Sequence, residues 1–151
     1  MKQPARVYLD TNVFITAYET KGGPSQEAWW LLDQLERGAI GGFTSELTLA
    51  ELLTGPLARK ENDLADMYKV LISDGASLGV LPIHRSIMIK AAEVRAEARS
   101  LRLPDAIHIA SALSLGCSIF VSNDRRLPRI DALRFFSLAS DGFAQFRLML
   151  E

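Results

Sequence analysis

PDAIHIASALSLGCSIFVSND, residues 104–124, reads as a buried helix, a tight turn and a strand covered on both faces. Pro104 suits the first turn of a helix, where its missing N–H is no loss, and Gly116 suits the position just past the end of one. Between them Ala106, Ile107, Ile109, Ala110, Ala112 and Leu113 leave almost no polar face, so the helix is expected to be enclosed by other elements. Ile119-Phe120-Val121 is apolar at successive positions instead of alternating, the pattern of a parallel strand with helices above and below it.

The same alternation of strand and helix extends in both directions. Upstream, Arg6 to Leu9 reads as a strand and Thr11 to Glu19 as a helix. Gly22-Gly23-Pro24-Ser25 breaks the chain, and Gln26 to Arg37 carries an apolar stripe of Trp29, Trp30, Leu32 and Leu35. Gly41 to Thr44 is a short second strand; the helix after it is expected to stop at Gly55-Pro56, because proline cannot continue a helix. Further helices are expected over Ala58 to Asp74 and Ser86 to Leu101, with the strand Val80 to Ile83 between them. Downstream, Ser118 to Ser122 is a strand, Leu133 to Leu138 another, and Phe143, Phe146 and Leu150 belong to a closing helix. Strands alternating with helices predict an α/β sandwich around a mostly parallel sheet.

At 151 residues the chain is long enough for one sizeable core, and 48% hydrophobic with 23% charged residues is ordinary for a globular protein. No apolar run is long enough to cross a membrane, the first residues lack a secretory leader's apolar stretch, and the lone Cys117 fits a reducing cytoplasm. A net charge of −1 argues against a basic, DNA-coating protein, and any grip on nucleic acid would have to be local.

Four acids stand where such a topology concentrates ligand binding. Asp10 follows the first strand and Asp124 the strand ending at Ser122, so both belong at the carboxyl edge of the sheet. Asp105 opens a helix antiparallel to that strand, and Glu51 sits in the early turns of the helix after the second strand. Each acid has a plainer reading: Asp10 as a helix cap, Glu51 in a capping box with Thr48, Asp105 in a dipole-favoured first turn, Asp124 in a turn. Their coincidence at one edge of an open parallel sheet favours a shared pocket. Two carboxylates about 4 Å apart repel by roughly 4 kcal/mol at an effective dielectric near 20, so such a pocket calls for a cation. Oxygen donors favour Mg2+ or Mn2+, and no Cys/His spacing supports zinc.

Leu9-Asp10-Thr11-Asn12, Ala50-Glu51-Leu52, Asp105-Ala106-Ile107-His108-Ile109-Ala110 and Ser122-Asn123-Asp124, in this order, resemble the PIN-domain family. More narrowly they resemble its VapC-type toxin ribonucleases, over about Val7 to Phe136. The resemblance implies a single PIN-like domain over 1–151, a three-layer α/β/α sandwich with a mostly parallel central sheet. It implies a divalent-metal endoribonuclease with Asp10, Glu51, Asp105 and Asp124 as catalytic, metal-holding acids and Asn12 and Ser122 in support. The products implied carry 5′-phosphate and 3′-hydroxyl ends. RNA substrate, a cognate antitoxin, a homodimer and a cytoplasmic location follow from the same resemblance. Many members carry a further acid shortly after the last; here Arg125-Arg126 stand instead, which leaves one or two metal ions open.

Arg125 and Arg126, beside the expected cleft, are candidates for RNA contact, whereas Arg95, Arg99 and Arg102 on one helical face read as solvated charge. His108, one turn beyond Asp105, reads as a packed or surface histidine, with contact to the site as the alternative. Phe14, Tyr18, Trp29 and Trp30 read mainly as core, with antitoxin docking as a second use. Competing functions are a phosphoryl-transfer domain with a nucleophilic aspartate, an RNA-processing PIN nuclease that is no toxin, and a non-catalytic PIN-like binding module.

Overall fold

In chain order the elements are β1 (Arg6–Leu9), α1 (Thr11–Glu19), α2 (Pro24–Glu36), β2 (Gly41–Ser45), α3 (Glu46–Ala58), α4 (Asn62–Leu71), β3 (Leu78–Leu81), α5 (Arg85–Glu97), α6 (Leu103–Ser114), β4 (Ile119–Ser122), β5 (Arg134–Ser137) and α7 (Gly142–Leu150). The computed structural model describes residues 2–124, 127–139 and 142–151. The five strands form one sheet in the order β3-β2-β1-β4-β5, and every neighbouring pair is parallel.

Successive side chains of a strand point to opposite faces, and here both faces are apolar. Val7, Leu9, Ile119 and Val121 pack with Phe14, Leu31, Tyr68 and Phe146 on one side. Tyr8 and Phe120 turn to the other, where they meet Ile109 and Ala112 of α6 and stack with ring centroids 5.2 Å apart. The result is three layers: α1, α2, α4 and α7 against one face, α5 and α6 against the other. Gly42 permits part of this closeness, since a Cβ there would overlap the Leu35 side chain of α2.

Several boundaries differ from the sequence expectation. Gly55-Pro56 does not stop α3, which runs on to Ala58 with Pro56 buried inside it. Proline forfeits one backbone hydrogen bond, a loss confined here to the last turn, and Arg59 N–H still reaches the Gly55 carbonyl at 3.0 Å. The actual stop is Lys60, left-handed at φ 58°, with Glu61 N–H bonded back to the Pro56 carbonyl at 2.8 Å. α4 consequently starts later than expected and ends before Asp74, whose carboxylate accepts from Val80 N–H at 2.9 Å. α5 ends at Glu97 instead of Leu101, and β3 begins two residues before the expected strand, at Leu78. No described helix is long and apolar enough to cross a membrane.

Candidate active site

From β1 the chain proceeds outward to β2 and β3 on one side, and later to β4 and β5 on the other. The order therefore reverses between β1 and β4, and the carboxyl ends of those two strands flank the crevice where open parallel sheets bind ligands. Asp10 stands there. Its N–H donates to Val121 C=O at 3.0 Å, tying it to β4. It caps α1, Oδ1 accepting from Thr11 N–H at 2.8 Å, while Oδ2 accepts from the Ser122 hydroxyl at 2.8 Å. The capping role read in the sequence is present, and the same residue stands at the carboxyl edge between β1 and β4. Burial pushes the Asp10 carboxyl above the usual carboxylate range; His108, Ser122 and Thr11 oppose that rise and Glu51 adds to it.

Ser122 and Asn12 stitch the exit of β4 to the start of α1. Ser122 Oγ accepts from Asp124 N–H at 3.0 Å and from Asn12 Nδ2 at 3.4 Å, and Asn12 Oδ1 accepts from Asn123 N–H at 2.9 Å. The Asp124 N–H thereby stands one hydroxyl away from the Asp10 carboxylate.

Glu51, on the second turn of α3, is only partly covered. Its Oε1 accepts from Thr11 Oγ1 at 2.8 Å and from His108 Nε2 at 2.5 Å. It makes no capping box with Thr48, whose hydroxyl is shared with Thr44 at 2.7 Å. Burial raises the Glu51 carboxyl, but the His108 hydrogen bond and charge, with Thr11 and Arg102, outweigh it and hold the group below its ordinary value.

His108, read in the sequence as a packed or surface residue with contact to the site as the alternative, is both packed and in contact with the acids. It is 2% exposed and sits at the centre of the site. Nε2 is 3.4 Å from Asp10 Oδ1 as well as bonded to Glu51, and Nδ1 is 2.7 Å from the Tyr8 hydroxyl. That hydroxyl also donates to Ser45 Oγ at 2.9 Å. Nε2 donates to the Glu51 carboxylate, and a proton on Nδ1 as well would give the ring a positive charge. Burial disfavours that charge, yet Glu51, Asp10 and Asp105 together raise the His108 pKa above its ordinary value.

Asp105, in the first turn of α6, is mostly covered at 15% side-chain exposure and pairs with the open Arg102 guanidinium at 3.2 Å. Its charge is felt at His108, and that of Arg102 at Glu51. The fold thus brings Asp10 and Glu51 onto one imidazole, sets Asp105 beside them and brings in Asp124 by its backbone. Arg125 and Arg126 lie outside the described residues. Among the described residues no group of three or more His, Cys, Asp or Glu side chains is arranged to hold a metal ion; Glu51 is engaged by His108 and Asp105 by Arg102. The donors that face the crevice are nonetheless oxygen-rich, as a hard divalent cation requires.

A parallel α/β sandwich with a buried aspartate at its switch point is a defined class of protein, and comparison narrows it. The family model of the PIN domain matches residues 7–133. The chain belongs to the PIN domain family. Among solved structures it is similar to VapBC2 from Rickettsia felis bound to a promoter DNA fragment, at 18% identity and a TM-score of 0.69, covering 87% of this chain and 98% of that one. DNA-bound VapBC from Salmonella typhimurium matches at 23% identity and a TM-score of 0.61, covering 89% and 98%. VapC20 from Mycobacterium tuberculosis, described as a Sarcin-Ricin loop cleaving toxin, matches at 18% identity and a TM-score of 0.61, covering 76% and 86%. None of the curated protein sequences compared matches the chain.

Proposed function

We propose that this chain is a divalent-metal-dependent endoribonuclease and the toxin of a toxin–antitoxin pair. The observation that carries the reading is the meeting of Asp10 and Glu51 on one imidazole nitrogen at the switch point of a PIN-family sheet. The similar structures described as a toxin–antitoxin complex from Klebsiella pneumoniae and as a Sarcin-Ricin loop cleaving toxin support it.

Asp10, Glu51, Asp105 and Asp124 would hold Mg2+ or Mn2+, which when bound supplies an acidified water and neutralises phosphate charge. Within the chain, Thr11 N–H and Ser122 fix both oxygens of Asp10, and Thr11 Oγ1 with His108 fixes Glu51. Such anchoring keeps acidic ligands oriented before any cation arrives. The test is cleavage of RNA in Mg2+ or Mn2+ by the parent and by Asp10→Asn and Asp105→Asn. Loss of at least about tenfold in both variants is expected for removed metal-site groups. Variants that cut as fast as the parent would end the site assignment.

An antitoxin segment and a second copy of the chain are the partners of this reading, in a cytoplasmic setting. A cavity of about 430 Å³ beside α2, lined in part by Phe14, Tyr18, Trp29 and Leu32, offers the antitoxin an apolar seat. Co-purification with the product of an adjacent reading frame is expected, and a stable lone monomer would count against it.

A further inference from the structure

The corner where α5 ends and α6 begins carries charge that the acid site does not use. Ala92, Arg95, Ala96, Arg99 and Leu103 enclose a groove of about 460 Å³ there. Arg37, Arg59 and Arg147 elsewhere on the surface are each matched by a carboxylate. Arg95 and Arg99 have no carboxylate within ion-pair distance among the described residues. Arg95 Nε donates to Leu101 C=O at 3.1 Å, which anchors the guanidinium and leaves its two terminal nitrogens for a ligand. The acids of the same helix, Glu93 and Glu97, line a different groove beside residues 128–132. Arg95 near the end of α5 and Arg99 just beyond it thus line one groove, while Glu93 and Glu97 line another together with Lys90.

This groove is next to the site along the chain. Leu103 lines it, Arg102 is the N-cap of α6, and the Arg102 guanidinium pairs with Asp105 and lowers the Glu51 pKa. Planar guanidinium forks match phosphate oxygens in pairs, and the 45% exposed Leu103 offers an aliphatic surface to a sugar or base beside them.

We propose that Arg95 and Arg99 bind the phosphodiester backbone of single-stranded RNA on its way to the acids, an inference that rests on the nuclease reading. It reverses the sequence expectation, in which these arginines were solvated charge. The experiment is fluorescence anisotropy with a short labelled single-stranded RNA in EDTA, titrated at several salt concentrations, alongside cleavage in Mg2+. The Arg95→Ala/Arg99→Ala double variant is compared with the parent and with Arg37→Ala as a surface-charge control. Two lost phosphate contacts on a single strand should make the log–log salt slope shallower by about 1.4, a loss of about tenfold in affinity at 0.15 M salt. Arg99→Glu alone should weaken binding further than Arg99→Ala. Equal slopes in parent and double variant, or an equal loss in Arg37→Ala, would overturn the proposal while leaving cleavage intact. Absence of cleavage by the parent together with arginine-dependent binding would instead remove the nuclease reading and keep the groove.

Discussion

Two regions of this molecule are almost equally buried and are built on opposite principles. Beneath α2 and α7 the sheet meets only apolar surface: Trp30, Phe136, Phe143 and Phe146 pack edge-on or tilted, with ring centroids 5.0 to 6.2 Å apart. At the carboxyl edge the same strands end among Asp10, Thr11, Thr44, Ser45, Thr48, His108 and Ser122, all buried. Packing in the first region is non-directional, and its stabilisation scales with the area removed from water. In the second every group must find a partner of the right kind, and an ionised Asp10 is disfavoured by its burial. One region holds the fold; the other holds directions, at a cost in stability.

The largest effect should come from the aromatic side. Phe146→Ala removes a fully buried ring in contact with three others and should lower stability by about 3–5 kcal/mol. Denaturant titration measures that loss, and RNA cleavage per folded molecule should stay at the parent's value. A fall in cleavage beyond the folded fraction would show that the two regions are coupled.

His108→Asn sharpens the contrast from the polar side. It should cost about 1–3 kcal/mol, because Tyr8, Glu51 and Asp10 lose a shared partner. Unlike the aromatic loss, this one should depend on pH. The folded His108 pKa lies above its ordinary 6.5, so its stabilisation is complete below about that pH and is lost as pH rises through the folded value. Glu51 lies below its ordinary 4.5, so its share is present above that pH and lost as pH falls through the folded value. The parent's advantage over His108→Asn should therefore peak between these limits in the metal-free protein and shrink with alkali. An advantage constant from acid to alkali would mean that the ring acts by packing alone.

The same contrast explains what was legible in the sequence. Apolar packing is written locally: the unbroken Ile119-Phe120-Val121 run announced a strand covered on both faces, and the mostly apolar helix before it announced its cover. Asp10 was legible because it directly follows β1, a relation visible in one dimension. His108 was not, since a lone histidine on an apolar helix looks like filler until Tyr8, Ser45 and Glu51 arrive from two strands and another helix. Arg95 and Arg99 were similarly opaque, because their separation from Glu93 and Glu97 depends on what packs around the end of α5. Gly55-Pro56 misled for a third reason: a proline in a last turn forfeits a single hydrogen bond, which a buried position outweighs.

Cys117 gives the smallest effect and the most local test of the comparison. It lies just past the C-terminal end of α6, the helix whose other end carries Asp105, and its thiol is buried among Tyr8, Ile109 and Phe120. Burial pushes that thiol up to about 12, with Arg6 pulling weakly the other way. Only the thiolate attacks a disulfide reagent, so at neutral pH the native protein should label at the rate of local opening, far slower than a denatured control. Cys117→Ala should lower stability by only about 1 kcal/mol and leave RNA cleavage unchanged, since the sulfur serves as a small apolar filler. Rapid labelling of the folded protein would place this end of α6 in a mobile layer, and the division between a rigid apolar interior and a directional polar edge would then fail within a single helix.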